Sequence, residues 1–337
     1  MTAAASPPDI ATPAIEVHEL RKWYPVRQGL LASLAGREQR YLKAVDGVSF
    51  AIREGEVLGL AGESGCGKST TGMTLLRLHQ PSGGEIRFAG HDLAPKQGAA
   101  GLRAFRKHAQ IVFQNPYESL NPRFTVAQSV AEPVGIHFPG PAQQRRARVV
   151  RALERAGLTP AETFLDRYPH QLSGGQMQRV AIARAISVEP RFLVADEPVS
   201  MLDVSIRAGI LNLLRHFARD LGMSILYISH DLSTMRHICD EVAIMYLGRI
   251  VEKGPTEAIL DDPRHPYAQA LMAAAPVMGA RKRTRVRLGG SPPNAMNVPS
   301  GCRFHPRCPR RMPVCEREDP QLRATSPARS VACHLYA

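Results

Sequence analysis

The chain has 337 residues, 44% of them hydrophobic and 22% charged, which fits one main globular domain with an appendage and excludes a disordered or fibrous protein. Its formal net charge of +13 raises nucleic acid or an anionic membrane surface as partners. No basic motif interleaved with aromatics accompanies that charge, and much of it falls in Arg281, Lys282, Arg283, Arg285 and Arg287, so no specific nucleic acid is expected.

Residues 1–14 lack the basic start and apolar core of a secretory signal and read as a flexible N-terminal tail. From residue 15 to about 255, short β-rich runs alternate with helical segments, the pattern of an α/β domain on a mainly parallel sheet. Residues 56–60, 111–113, 192–195 and 225–228 are apolar runs of the kind buried on both faces of such a sheet. Between about 125 and 172 the strands disappear. There residues 143–157 repeat apolar positions at helical spacing through Val149, Val150, Leu153 and Ala156, which predicts an inserted helical subdomain. Past residue 255 the composition shifts toward Pro, Arg and Cys: residues 263–271 suggest a short helix and 291–301 a loop, so 256–337 reads as an appended tail. The most apolar stretch of that tail, residues 268–280, contains Pro276 and is shorter than the roughly 20 residues a bilayer span needs. Any passage through a membrane is therefore expected from other chains.

Residues 62–69, GESGCGKS, fit G-x-x-x-x-G-K-[ST] between an apolar strand and an apolar-periodic helix, the two flanks a phosphate loop requires. Gly62, Gly65 and Gly67 let successive backbone N–H groups turn inward around phosphate oxygens, and Glu63, Ser64 and Cys66 fill the free positions, Cys66 as an inert small residue. Lys68 is expected to reach the β- and γ-phosphates and Ser69 to ligate Mg²⁺, with Thr70 in the same turn. The run FLVADE ends a strand on two carboxylates, where a parallel sheet presents ligand-binding groups. Asp196 would hold Mg²⁺, and Glu197 would orient or deprotonate the attacking water.

The segment LSGGQMQR at 172–179 closely resembles the signature of ABC ATPases. Gln114 in VFQNP resembles that family's Q-loop, Asp203 in SMLDVS its D-loop, and His230 in LYISHDL its switch histidine. The resemblance implies an ATP-binding cassette: a P-loop fold with an antiparallel β subdomain, a mainly parallel core sheet and an inserted helical subdomain. It also implies that Tyr24 stacks on adenine, that Gln114 joins Ser69 and Asp196 at Mg²⁺, and that His230 contacts the γ-phosphate. Ser173, Gly174, Gly175 and Gln176 open a helix and offer a hydroxyl and free N–H groups to an anion, which by resemblance is the nucleotide of a partner subunit. Met177 stands where the signature is often basic and Met201 where a small residue is usual. Neither change removes a catalytic group.

Three segments resemble the peptide and nickel importer subfamily: GLLASLAGREQRYLKAVDGVSF, QNPYESLNPRFTV and DDPRHPYAQALMAAAP. The first suggests the F-type member of a paired ATPase. That resemblance implies two transmembrane permeases, a second ATP-binding subunit in a heterodimer, an extracytoplasmic solute-binding protein, and a peripheral position on the cytoplasmic face of the bacterial inner membrane. A soluble ABC protein acting on ribosomes or DNA is the rival reading, disfavoured by a single cassette without sustained heptads. An exporter ATPase is disfavoured by the absence of a fused membrane domain. Cys302, Cys308, Cys315 and Cys333, spaced C-x₅-C-x₆-C-x₁₇-C, suggest metal rather than disulfides. That spacing is wider than structural zinc usually shows, and four thiolates suit a [4Fe–4S] cluster as well as zinc. The resemblance favours the cluster, with no metal and zinc as the alternatives. Arg303, Arg307, Arg310 and Arg311 are expected to favour thiolates there.

Overall fold

The computed structural model describes residues 13–26, 39–93, 98–274, 293 and 295–337. Most of the expected N-terminal tail, much of the segment after Tyr24 that carries the F-type resemblance, and the basic run at 281–287 lie outside the described residues. Eight strands form the main sheet, in edge-to-edge order Arg323–Ser326, Arg329–Val331, Arg249–Pro255, Glu241–Tyr246, Val57–Ala61, Ser224–Ser229, Phe192–Asp196 and Ala109–Val112. The five strands from Glu241–Tyr246 to Ala109–Val112 run parallel. Their middle members VLGLA, SILYIS and FLVAD are buried at every position, as apolar runs without alternation require.

One face of this sheet is covered by a four-stranded antiparallel sheet in the order Tyr41–Ile52, Ile15–Pro25, Gly83–Phe88, His91–Asp92. Ile15, Val17, Leu20, Val48 and Phe50 pack there against Leu58, Leu60, Leu226 and Ile228. The other face is closed by helices, with Val180, Ile210, Leu214 and Phe217 in the core. Each such side chain, fully buried, contributes about 1.5–3 kcal/mol.

The helical subdomain is built from helices Val126–His137 and Ala142–Arg155 packed on Gly174–Ile186. The predicted periodicity in its second helix buries Val149, Ala152 and Leu153. Thr125 caps the first helix in a reciprocal box: its hydroxyl accepts from Gln128 N–H at 3.2 Å, and the Gln128 side chain accepts from Thr125 N–H at 2.8 Å.

The main sheet does not stop at residue 255. Strand Arg329–Val331 pairs antiparallel with Arg249–Pro255, so part of the tail is integral to the sheet. The join is ionic as well as hydrogen-bonded: Glu252, with no solvent exposure, accepts from Arg329 Nε at 3.0 Å and from the backbone N–H of His265 at 2.8 Å. An unpaired carboxylate at such depth would be strongly destabilising, and Arg329 is what makes it tolerable. His265 beside it is wholly buried, which pushes its imidazole down to about 3 and keeps it neutral, with Nδ1 accepting from Tyr267 N–H at 3.0 Å.

Candidate active site

The phosphate loop turns where the sequence places it, between strand Val57–Ala61 and helix Lys68–Leu75. Two of its glycines are irreplaceable on steric grounds. A Cβ on Gly62 would stand 2.2 Å from Met245 O, and one on Gly67 would stand 2.1 Å from Ala44 O, with φ at +153° and +110°. Lys68, only 5% exposed, curls back over the loop, its Nζ donating to the carbonyls of Gly62 at 2.8 Å and Glu63 at 3.0 Å. Cys66 is buried, and burial pushes its thiol up, which agrees with an inert filler.

Around the loop opens a cavity of about 560 Å³ lined by Tyr24, Leu42, Ala44, Ser64, Gly65, Gly67, Lys68, Ser69, Thr70, Gln114, Glu197 and His230. Residues from six separate stretches of the chain therefore share one space. Tyr24 forms its rim; burial pushes its phenol up, partly offset by a hydrogen bond with Thr70. Trp23 points elsewhere, donating from Nε1 to Asp46 at 2.9 Å. Leu42 and Ala44 also line the cavity and carry no sequence signal, since they contribute only a wall.

At the far side, Ser69 Oγ donates to Asp196 Oδ1 at 3.0 Å. Burial raises the Asp196 carboxyl, and neighbouring Glu197 acts in the same direction, while the Ser69 hydrogen bond and Lys68 oppose them. Glu197 holds a left-handed backbone, φ +47°, unusual for a side chain of its size and anchored by its N–H donating to Ile228 O at 2.9 Å. Gln114 Nε2 donates to one of its carboxylate oxygens at 3.1 Å, and His230 Nδ1 lies 3.0 Å from the other. Gln114 and His230 thus meet at the one carboxylate of Glu197.

The signature residues do not reach this cavity. Ser173 caps helix Gly174–Ile186 in a box with Gln176, its hydroxyl accepting from Gln176 N–H at 3.3 Å. A Cβ on Gly175 would meet Ile206 at 2.7 Å, so glycine there is demanded by helix packing. Asp203 precedes helix Val204–Leu221 without a side-chain capping bond. Beside it Met201 and Val204 are 58% and 75% exposed, while Met177 is buried.

The tail cysteines approach one another, yet not as expected. Burial pushes the Cys302 thiol up to about 11, with the Cys315, Cys333 and Cys308 sulfurs adding to the effect, and burial likewise raises Cys308 and Cys333. Arg310 favours the thiolate at Cys308 and Cys333, but burial outweighs it at both. Arg303 is drawn away to Asp46 and the Leu247 carbonyl, and Arg307 to Glu63. Among the described residues no group of three or more His, Cys, Asp or Glu side chains is placed to hold a metal ion.

Known proteins share both the cassette and the tail. The family model described as ABC transporter matches residues 45–200, and that described as oligopeptide/dipeptide transporter, C-terminal region, matches residues 251–315. The oligopeptide transport ATP-binding protein AppF of Bacillus subtilis is 44% identical over 96% of this chain and 97% of its own length. The dipeptide transport ATP-binding protein DppF of Escherichia coli is 46% identical over 92% of this chain and 91% of its own. The chain belongs to the ATP-binding subunits of oligopeptide/dipeptide-type ABC transporters. Members of this family are ATPases coupled to transport, which sets aside the rival reading of a soluble ABC protein on ribosomes or DNA. The cassette fold agrees: the ATP-binding cassette MJ0796, solved as a dimer in a post-hydrolysis state with ADP and Pi, superposes with a TM-score of 0.62 at 28% identity, covering 72% of this chain and 98% of that one. The cbiO1 subunit of Clostridium perfringens gives 0.62 at 30% identity over 74% and 92%. Among the described residues no helix is long and apolar enough to cross a membrane.

Proposed function

We propose that this chain binds ATP in the cavity around Lys68, hydrolyses it with Glu197, and so powers import of peptides or related solutes of the dipeptide, oligopeptide and nickel class. The observation that carries the reading is the Glu197 carboxylate, held between Gln114 and His230 and sharing one cavity with Lys68 and Ser69. Phosphoryl transfer asks a protein mainly for positioning and charge. Lys68 releases the two loop carbonyls to meet phosphate oxygens, the N–H groups of the loop and of helix Lys68–Leu75 receive the rest, and Tyr24 covers the base. Glu197 orients the attacking water and takes its proton, while His230 and Gln114 fix the carboxylate and report the γ-phosphate.

Magnesium suits the hard oxygen donors present, the Ser69 hydroxyl, the Asp196 carboxylate and the Gln114 amide oxygen. Asp196 in particular is a buried carboxyl whose charged form burial disfavours and Lys68 favours, and a bound cation would favour it further. When bound, the ion neutralises charge on the β- and γ-phosphates.

The signature residues Ser173, Gly174, Gly175 and Gln176 and Asp203 serve a nucleotide held by a second ATP-binding subunit. Exposed Met201 and Val204 next to Asp203 support a subunit interface there. Exposed Tyr117, Phe124 and Tyr168, near Gln114 and on the helical subdomain, support docking of two membrane permeases, with an extracytoplasmic solute-binding protein completing the importer. In this reading the chain works peripherally on the cytoplasmic face of the bacterial inner membrane.

For Cys302, Cys308, Cys315 and Cys333 we keep a [4Fe–4S] cluster. Their mutual influence supports proximity, while among the described residues no three of them are placed to hold a metal ion, so the reading rests on the resemblance and on that proximity. A bound cluster would cross-link the tail. Anaerobic purification with iron and sulfide analysis checks it: about four of each per chain support the cluster, zinc or neither metal removes it.

The test of the whole reading is to tag Glu197→Gln, purify it from native membranes with ATP and Mg²⁺, and identify what accompanies it. Two polytopic permeases and a related ATPase support the importer. Ribosomal or DNA-associated partners without permeases overturn it.

A further inference from the structure

The tail grips the phosphate loop itself. Glu63, the second residue of the loop, has its carboxylate held by two hydrogen bonds from Arg307, Nη1 at 3.0 Å and Nη2 at 3.2 Å. Its backbone N–H donates to Tyr267 Oη at 2.8 Å, and its carbonyl accepts from Lys68 at 3.0 Å. Every polar group of this one loop residue is therefore fixed, two of the three by residues of the tail. The contact is well shielded: the Arg307 side chain is 6% exposed and Glu63 22%. Arg307 is itself steadied by Tyr246, whose ring packs against Tyr267 at 4.6 Å and Phe304 at 5.3 Å between centroids.

A second hold reaches strand Tyr41–Ile52. Arg303 pairs with Asp46 on strand Tyr41–Ile52, two residues beyond Ala44, which lines the cavity and abuts Gly67. Burial pushes the Asp46 carboxyl up, but Arg303, Lys43 and Trp23 together outweigh it and hold the group below the usual carboxylate range. Both arginines neighbour tail cysteines in sequence, Arg303 after Cys302 and Arg307 before Cys308. The tail thus holds Glu63 beside Ser64 and Asp46 near Ala44, and both Ser64 and Ala44 line the cavity.

We infer that Arg307 and Tyr267 are positioning residues for ATP binding, acting through Glu63 to hold the phosphate loop in its anion-receiving shape. A bidentate Arg–carboxylate pair fixes orientation as well as distance, which a single lysine contact would not. Preorganisation of this kind is read in affinity for the nucleotide, since the groups that carry the chemistry are untouched. The inference rests on the reading of this loop as the ATP site.

The experiment measures steady-state ATP hydrolysis by the full chain assembled with its permeases and partner ATPase, and equilibrium binding of a fluorescent ATP analogue, for Arg307→Ala, Arg307→Lys, Glu63→Gln and the double variant Arg307→Ala/Glu63→Gln. Arg307→Ala and Glu63→Gln are each expected to raise KM and Kd about tenfold with kcat within about twofold, Arg307→Lys to recover part of the loss, and the double variant to be no worse than either single one. Unchanged KM in both single variants, or additive losses in the double variant, overturns the inference. Should Arg307→Ala fail to fold, Glu63→Gln with Tyr267→Phe decides from the loop side. Lys68→Ala separates the two levels: wild-type binding by it removes the ATP-site reading, whereas lost binding with unaffected Arg307 and Glu63 variants removes only the role of the tail.

Discussion

Two helices in this chain begin in ways suited to an anion, and they differ in what surrounds them. Helix Lys68–Leu75 starts inside a cavity walled by Tyr24, Gln114, Glu197 and His230, with a lysine waiting over the loop. Helix Gly174–Ile186 starts under its own Ser173 and Gln176, with exposed Ser173 and none of that cavity's residues around it. Ser173 and Gln176 do not line the cavity of the first, and the second ATP-binding subunit proposed above would give each helix start its counterpart.

The comparison can be broken in a definite order. Lys68→Ala removes the only lysine of the enclosed start and should weaken ATP binding by about 100-fold, measured by equilibrium binding of a labelled nucleotide to the full chain; loss under threefold would mean the enclosed site is not built around that charge. Ser173→Ala should leave nucleotide affinity of the isolated chain unchanged within about twofold yet lower hydrolysis by the assembled transporter by about tenfold. Equal effects on both would place Ser173 on its own chain's nucleotide. Thr125→Ala sharpens the contrast, because Thr125 and Gln128 form the same capping box on a helix to which no nucleotide role is assigned. It should cost only about 1 kcal/mol of stability in denaturant unfolding and leave turnover alone.

Much of the enclosed site was legible because its chemistry is local. G-x-x-x-x-G-K-S between an apolar strand and a helix, and two carboxylates ending another apolar strand, each carry their reason in a few adjacent residues. The strained backbone of Glu197 was not legible, because it follows from the hydrogen bond to Ile228 across the sheet. Nor was the role of Arg307, which meets a carboxylate 244 positions away. The tail misled for the same reason: its composition reads as an appendage, while residues 323–331 extend the main sheet, joined by a buried Arg329–Glu252 pair that no local pattern announces. Cysteine spacing pointed to proximity, and burial rather than arginine then set the state of the thiols.

Glu197 is the residue on which the account turns, so the most direct measurement is Glu197→Gln in the assembled transporter, with ATP binding and turnover read on the same preparation. ATP should be held with near wild-type affinity and hydrolysis slowed on the order of 100-fold or more. Turnover at the wild-type rate would contradict it and return the catalytic role to another group in the cavity.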